Sequence, residues 1–259
     1  MIILEKILSQ KEKRDLYESV IPIAVEFRRS FIKDDIPIND TFKEIEQLGF
    51  FLVRFPALEN CGDLSGFFIE KKPYNCIYIN SRQNLGRQYL SVWHECFHAI
   101  TGTGKGLSYI SENGTNPDEY KADSFAGCIL MPEKLVYNYI SQCNINVEYI
   151  KYTDIIKMQN YFQVGYSAML TRIIQLFPQY SNKLGNRYAI AKNNENSREK
   201  LLNFTNEVNG DLKLIRPTND IFIPETFLDN IEFNLKNKRI SNEKAFEMLN
   251  LINGIKNGD

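Results

Sequence analysis

The two histidines of this 259-residue chain lie four residues apart, with a glutamate directly after the first. They are His94 and His98 in the pattern His-Glu-x-x-His, and Glu95 occupies the second position. On an α-helix, residues i and i+4 lie on the same face, so both imidazoles can reach one metal ion. A carboxylate at the position of Glu95 can act as general base toward a water molecule at that ion. The spacing therefore predicts a zinc-dependent hydrolase.

This pattern works only if a helix presents it, and the surrounding residues predict one. Residues 83–101 have helical character, and Trp93, Cys96, Phe97 and Ile100 form one apolar face at about 100° per residue. The histidines fall at the edge of that face, so we expect them beside the core and not at its centre. Cys96 lies on the apolar face, which favours a buried and inert thiol over a metal ligand.

A catalytic zinc site needs a third protein ligand, and the chain has no further histidine. Glu119, on the next predicted helix, is the best candidate. Asp123 lies one turn later on the same face, where its carboxylate can accept a hydrogen bond from a ligand histidine, as in glutamate-ligated zincins. Asp118 is a competing ligand that also suits a helix N-terminus. Tyr109 and Tyr120 are weaker candidates for stabilising a tetrahedral oxyanion.

The elements that must position these residues are strands followed by helices, which predicts the α+β class. A helix is expected over residues 16–31, with Pro22 marking either its true start or a kink. Further elements are predicted from capping residues, turn residues and β-branched or aromatic runs. They are a short helix over 40–48, a strand at Phe50–Phe55, a hairpin of Gly66–Lys71 with Cys76–Asn80, and a helix that Asn116 and Pro117 open.

Two segments carry a resemblance to a known family, RQYLSVWHECFHAITG at 87–102 and EYKADSFAGCILMP at 119–132. They resemble the ImmA/IrrE family of zinc metallopeptidases, which typically shows R-x-x-F-T-x-x-H-E-x-G-H and E-x-x-A-N-x-F-A-x-x-L-L-M-P. Asp123 stands where that family usually has Asn, a change that removes no predicted ligand. The resemblance spans about Leu16 to Phe177 and implies a zincin-like core with a small β-sheet and an HExxH helix.

The resemblance also implies a cofactor and a partner. The cofactor is Zn²⁺, and the partner is a protein substrate, a helix-turn-helix transcriptional repressor often encoded on a phage or mobile element. Members commonly continue into a helix-turn-helix segment, and residues 154–177 have that pattern. DNA binding requires basic side chains on the second helix, and Arg172 is nearly alone there. We therefore expect this helical pair to pack against the core and not to bind nucleic acid.

Composition sets the remaining expectations. A net charge of −1 and 43% hydrophobic residues indicate an ordinary globular protein without a field that attracts nucleic acid. No run approaches the roughly 20 apolar residues of a membrane span, and no signal-peptide pattern is present. Five widely spaced cysteines favour a reducing compartment, so we expect a cytoplasmic protein. The polar stretch Lys192–Ser197 predicts a boundary between a core with its helix-turn-helix-like extension (1–191) and a mostly helical module (192–259).

Two other functions stay open at this point. In a non-proteolytic, metal-bound regulatory protein that binds DNA or a protein partner, the His-Glu-x-x-His helix would be structural. A structural zinc site is normally closed by a fourth ligand and needs no base such as Glu95. The second alternative is a toxin-like effector, and its only support in the sequence is the unassigned module 192–259.

Overall fold

The computed structural model describes residues 7–32, 36–58, 61, 63–71, 74–104, 107–109 and 116–257, and it confirms an α+β fold. The strands in these ranges are β1 (Phe50–Phe55), β2 (Leu64–Lys71), β3 (Tyr74–Asn80) and β4 (Leu107–Tyr109). The helices are α1 (Gln10–Phe31), α2 (Thr41–Gln47), α3 (Leu85–Thr101), α4 (Pro117–Leu130), α5 (Glu133–Gln142), α6 (Tyr152–Phe162), α7 (Tyr166–Leu176), α8 (Ser181–Gly185), α9 (Glu195–Glu207), α10 (Glu225–Lys236) and α11 (Asn242–Asn257). None of them is long and apolar enough to cross a lipid bilayer.

The four strands form one sheet in the order β1-β3-β2-β4. The predicted hairpin is confirmed, since β2 and β3 pair antiparallel with Phe68 opposite Ile77. β1 pairs parallel with β3 and places Leu52 beside Ile77, and both of these side chains are buried. β4 pairs antiparallel with β2 and forms the edge of the sheet nearest the metal-ligand candidates. The core therefore lies between the sheet and the helices that follow it.

Asn80, the last residue of β3, fixes one end of the sheet. Its amide donates to the carbonyl of Leu64 at 2.8 Å, and its Oδ1 accepts the N–H of Ala57 at 2.9 Å and of Arg82 at 3.0 Å. A fully buried asparagine is stable only when its polar atoms are satisfied in this way. The side chain thus links the ends of three strands.

The first helix begins earlier than its proline predicts. Ser9 and Glu12 form a capping box, with Ser9 Oγ accepting the N–H of Glu12 at 3.2 Å and Glu12 Oε2 accepting that of Ser9 at 2.8 Å. The prediction that Pro22 marks the start is wrong, because α1 runs through it. Val20 and Ala24 are buried on either side of the proline, and this packing holds the helix across the missing hydrogen bond.

α3 lies between the sheet and α4, and this position overrides its amphipathic pattern. Trp93 and Cys96 are fully buried, as their apolar face predicts, but the two histidines are also buried. At the far end, Ile100 belongs to the predicted core face and is 43% exposed, so that part of the prediction is wrong. Because the sheet covers one side and α4 another, the helix buries polar side chains as well as apolar ones.

The predicted helical pair is formed by α6 and α7. Gly165 is the N-cap residue of α7. A Cβ atom added to Gly86, in the first turn of α3, would lie 2.3 Å from backbone atoms of Val164 and Gly165. The turn between α6 and α7 therefore packs directly on the backbone of α3, which only glycine permits at this distance.

The segment after α9 returns to the sheet. We call residues 217–222 the strap. Arg54 of β1 and Phe222 exchange two backbone hydrogen bonds, at 2.8 and 2.9 Å, so the strap lies along the free edge of β1. The guanidinium of Arg54 also contacts Asp220 at 3.1 Å. The module boundary after residue 191 stays a prediction. Residues beyond it nevertheless contact β1 and complete its packing.

Candidate metal centre

α3 and α4 bring three metal-ligand candidates together. Asn84 caps α3, and the regular helix after it places His94 and His98 one turn apart on one face. Asn116 caps α4, and Pro117 occupies its first position, so Glu119 lies in the first turn. All three side chains are buried, and their candidate ligand atoms lie within 4.8 Å of one another. This cluster could hold a metal ion.

The distances within the cluster fit a single ion. The Nε2 atoms of His94 and His98 are 3.1 Å apart. Glu119 places Oε2 at 3.0 Å from Nε2 of His94 and Oε1 at 3.3 Å from Nε2 of His98. Two donors bound to one zinc ion at its usual bond lengths and tetrahedral angle are about 3.3 Å apart. Two imidazoles and a carboxylate form a donor set that zinc accepts.

Hydrogen bonds on the far side of each imidazole orient its lone pair toward the cluster. Asp123 Oδ1 lies 2.8 Å from Nδ1 of His94, and because a carboxylate only accepts, that nitrogen carries the proton. His98 Nδ1 lies 3.2 Å from Oγ1 of Thr103, whose hydroxyl contacts Thr101 at 2.6 Å. The Thr101 hydroxyl donates to a backbone carbonyl, so it accepts from Thr103, which in turn accepts from His98. In its neutral form each imidazole therefore carries its proton on Nδ1 and presents the lone pair of Nε2 to the cluster, where a cation would be stabilised.

The charges of the cluster also favour a cation. Burial alone would lower the pKa of His94, but hydrogen bonds to Asp123 and Glu119 outweigh it and raise that pKa to about 10. Burial likewise acts to raise the pKa of Glu119, whereas the two histidines outweigh it and lower that pKa to about 2. Glu119 is therefore an ionised carboxylate at neutral pH, which is the form that binds metal.

Glu95 points toward the sheet and lies beside the cluster. Its side chain is 1% exposed and is hydrogen-bonded to Ser108 of β4. Oε1 has no hydrogen-bond partner among the described residues. A Cβ atom at Gly66 of β2 would lie 3.6 Å from Oε1 and only 2.6 Å from a carbonyl of β3, so the strand comes close to this carboxyl group. Burial raises the pKa of Glu95, although the nearby His94 opposes the shift.

Three of the alternative candidates, Asp118, Tyr120 and Cys96, have surroundings outside the metal-ligand cluster. Asp118 is outside the cluster and pairs with Lys121 at 3.4 Å. Tyr120 is hydrogen-bonded to Gln175 and Ser124. The side chain of Tyr109 lies outside the described part of the chain. Cys96 is fully buried away from the three ligand candidates, and burial raises the pKa of its thiol to about 12.

Arg172, the basic residue of the helix-turn-helix-like pair, faces the interior. It is 3% exposed, its Nε donates to the carbonyl of Met131 at 2.8 Å, and its Nη1 donates to the hydroxyl of Tyr17 at 2.5 Å. Its guanidinium is therefore used to join α7 to α1 and to the end of α4. The helical pair packs against the core through this residue.

Sequence reasoning missed the residues that support the site from other elements. Thr103, Ser108 and Gly66 contact the histidine and glutamate side chains, yet none lies in the two motifs. The glycine-rich stretch 102–106 was the one available signal. Within it, Gly104 has a φ of +70°, and a Cβ atom there would lie 2.3 Å from the imidazole of His98. The loop thus needs glycine both for its backbone and for the ring beside it.

Comparison with known proteins agrees with the geometry. No curated protein matches the chain. Residues 45–173 match the family model described as the IrrE N-terminal-like domain, which is a peptidase family. The matched segment contains the sheet from β1 onward, the metal-ligand cluster, α6 and most of α7. On this match, residues 45–173 of the chain belong to the ImmA/IrrE family of metallopeptidases.

Proposed function

We propose that the chain is a zinc-dependent peptidase in which His94, His98 and Glu119 bind the metal ion and Glu95 is the general base. The convergence of three donor atoms beside a buried carboxyl group carries this proposal. Three protein ligands leave the fourth position of a tetrahedral site open, which is the pattern of a catalytic zinc site. Asp123 acts as a positioning residue that holds the imidazole of His94 in the ligand tautomer.

The chemistry divides between the ion and the side chain of Glu95. A zinc ion bound here would lower the pKa of a water molecule and polarise the peptide carbonyl. Glu95 accepts the proton of the attacking water and passes it to the leaving amine. The raised pKa of this carboxyl group favours retention of the proton between the two transfers, and the hydrogen bond with Ser108 keeps the group in place.

The family and the buried position of Arg172 in the helical pair both bear on the choice of substrate. We propose a polypeptide substrate, a helix-turn-helix transcriptional repressor, because the ImmA/IrrE resemblance implies that class. Direct DNA binding by this chain has less support, since Arg172 is buried and already donates to backbone and tyrosine oxygens. A regulatory protease of this kind would relieve repression by cutting its substrate.

The test compares Glu95→Gln with the native chain. Glutamine keeps the shape of the side chain but cannot take a proton, so we expect at least about a hundredfold loss of peptide cleavage with unchanged zinc content. Cleavage is measured on a proteome-derived peptide mixture, and metal is measured by mass spectrometry. Glu133→Gln, on α5, is the matched control and should cleave normally. Undiminished cleavage by Glu95→Gln, or a zinc-loaded native chain that cuts nothing, would contradict the proposal.

A further inference from the structure

Two cavities lie along α3 on the N-terminal side of the metal-ligand candidates. The first, about 290 Å³, lies between α3, α4 and α7 and is bounded by Asp123, the partner of His94. The second, about 530 Å³, lies between α3, α7 and the start of α9 and is bounded by Lys192 and Arg198. Both cavities share Arg87 and Leu90 in their walls, so they adjoin each other. We call the two cavities together the basic groove.

The charges that line the basic groove are mostly positive and unpaired. Arg87 is half-buried, whereas Lys192 and Arg198 are exposed. Within the described part of the chain, none of these three cations lies within 4 Å of a carboxylate oxygen. Among the described residues, the guanidinium of Arg198 contacts only the neutral side chain of Asn193. Asp123 is the one acidic residue that the described part of the chain contributes to the walls, and it is already hydrogen-bonded to His94.

Arg87 is the best-placed of these cations. Its Nη2 makes a long hydrogen bond of 3.4 Å to the hydroxyl of Ser65, and its buried Nε has no partner among the described residues. A half-buried guanidinium with an unsatisfied donor is costly unless a ligand supplies an anion or another acceptor. The accessible part of this guanidinium would pair with a carboxylate side chain of an extended peptide through a charge-assisted hydrogen bond.

The position of Arg87 fits a substrate chain that crosses the metal centre. Arg87 precedes His94 by two turns on the same face of α3, a distance of about 10 Å at 1.5 Å per residue. An extended chain advances about 3.3 Å per residue, so this span corresponds to about three substrate residues. Because Gly86 has no side chain, the start of α7 packs directly against α3 at this point. α7 therefore forms the wall of the groove opposite α3.

We propose that the basic groove binds the substrate polypeptide next to the scissile bond and selects an acidic side chain about three residues from that bond. Arg87 contacts this side chain, while Lys192 and Arg198 attract further acidic residues beyond it. The inference rests on the proposed peptidase function, because that function places the scissile bond at the metal centre. It goes further by naming the chemistry of the preferred substrate.

Binding tests the groove without any cleavage. The zinc-loaded full-length Glu95→Gln chain is titrated into a fluorescein-labelled decapeptide with alternating glutamates, and into the same peptide with glutamines, at low salt. We expect the glutamate peptide to bind about tenfold more tightly. Arg87→Gln should remove most of that difference and Arg198→Gln a smaller part of it, whereas Lys200→Gln, also on α9 but outside the groove, should leave it unchanged. Equal affinity for both peptides, or a preference that survives both groove variants, would overturn the proposal.

Cleavage of the proteome-derived peptide mixture separates the groove from the peptidase activity. The native chain should cut sites enriched in Asp or Glu about three residues to one side of the bond, and Arg87→Gln should cut without that enrichment. Cleavage with no acidic preference would overturn the groove and leave the peptidase standing. Selective binding of the glutamate peptide by a chain that cuts nothing would support the groove and overturn the peptidase. Circular dichroism of each variant confirms that it is folded.

Discussion

α3 and α10 are both amphipathic helices, yet their side chains lie in opposite environments. α3 buries polar side chains, among them Gln88, His94 and Glu95. α10 leaves large apolar ones in solvent, with Leu228 50% and Phe233 52% exposed. α11 continues the second pattern, since Phe246 is 65% exposed.

The difference shows where chemistry is concentrated in this molecule. A buried polar group is costly unless partners satisfy it, so its presence indicates a constraint beyond packing. The polar side chains of α3 have such partners in α4, in β4 and in the loop after α3. Scattered exposed apolar side chains carry no such implication. We therefore assign the metal chemistry to α3 and α4 and expect α10 and α11 to be dispensable for it.

The largest effect is expected from removal of the carboxylate ligand candidate. Glu119→Ala leaves two imidazoles to hold the ion, so we expect zinc affinity to fall more than about a hundredfold, beyond the loss seen for outer hydrogen-bond partners. Metal content of purified protein, by mass spectrometry, gives the answer. Asp118→Ala is the matched control and should keep its zinc. Retention of zinc by Glu119→Ala with loss from Asp118→Ala would make Asp118 the ligand.

Two shortened chains compare how much the strap and the terminal helices contribute to stability. A chain that ends at residue 191 lacks the backbone pairing to β1 and the carboxylate beside Arg54, whose side chain is 8% exposed. Loss of a partner from a buried charge costs about 3 kcal/mol or more. A chain that ends at residue 223 keeps the strap and should lose no more than about 1–2 kcal/mol of unfolding free energy. Urea unfolding measures both.

The stability of the chain ending at residue 191 also shows whether the predicted boundary separates two independent modules. If the chain ending at 191 were as stable as the full-length chain, residues 192–259 would form a separate unit. We expect the opposite result, because the strap also donates backbone hydrogen bonds to Ser81 and Gln83 at the start of α3.

A moderate loss of stability is expected when the glycine in the first turn of α3 is replaced. Gly86→Ala places a methyl group 2.3 Å from the backbone between α6 and α7, which cannot yield as a flexible side chain would. Overpacking of this kind costs about 1–3 kcal/mol in unfolding free energy, measured by urea denaturation. Gly185→Ala, where nothing lies within 4 Å, should cost nothing measurable. Similar stability of both variants would show that the α6–α7 turn can move away from α3.

The smallest effect concerns the partner of a ligand candidate. Asp123→Ala removes the acceptor from Nδ1 of His94, and we expect a loss of about 10- to 100-fold in zinc affinity, measured by competition with a chelator. Asp123→Asn should lose less, because its amide oxygen still accepts that hydrogen bond. Equal zinc affinity in the alanine variant and the native chain would remove Asp123 from the positioning role.

Much of the fold was predictable because its signals are local. Residues within one or two turns of each other were enough to predict the hairpin, the strand Phe50–Phe55, the start of α4 at Asn116 and the helix with both histidines. Pro22 and Ile100 were misjudged for the opposite reason. Packing against distant elements decides whether a helix survives a proline and whether an apolar residue is covered.

The sequence by itself determined that two imidazoles share one helix face, since a spacing of four residues has one geometric meaning on a helix. It also determined the fold class and the family. Only the tertiary structure decided that Glu119 converges on the histidines while Asp118 does not. The two are adjacent and point to different faces of α4, and the packing of α4 on α3 determines which face meets the histidines. The hydrogen bond between Ser108 and Glu95, the strap along β1 and the basic groove are likewise contacts between distant segments, and no local pattern encodes them.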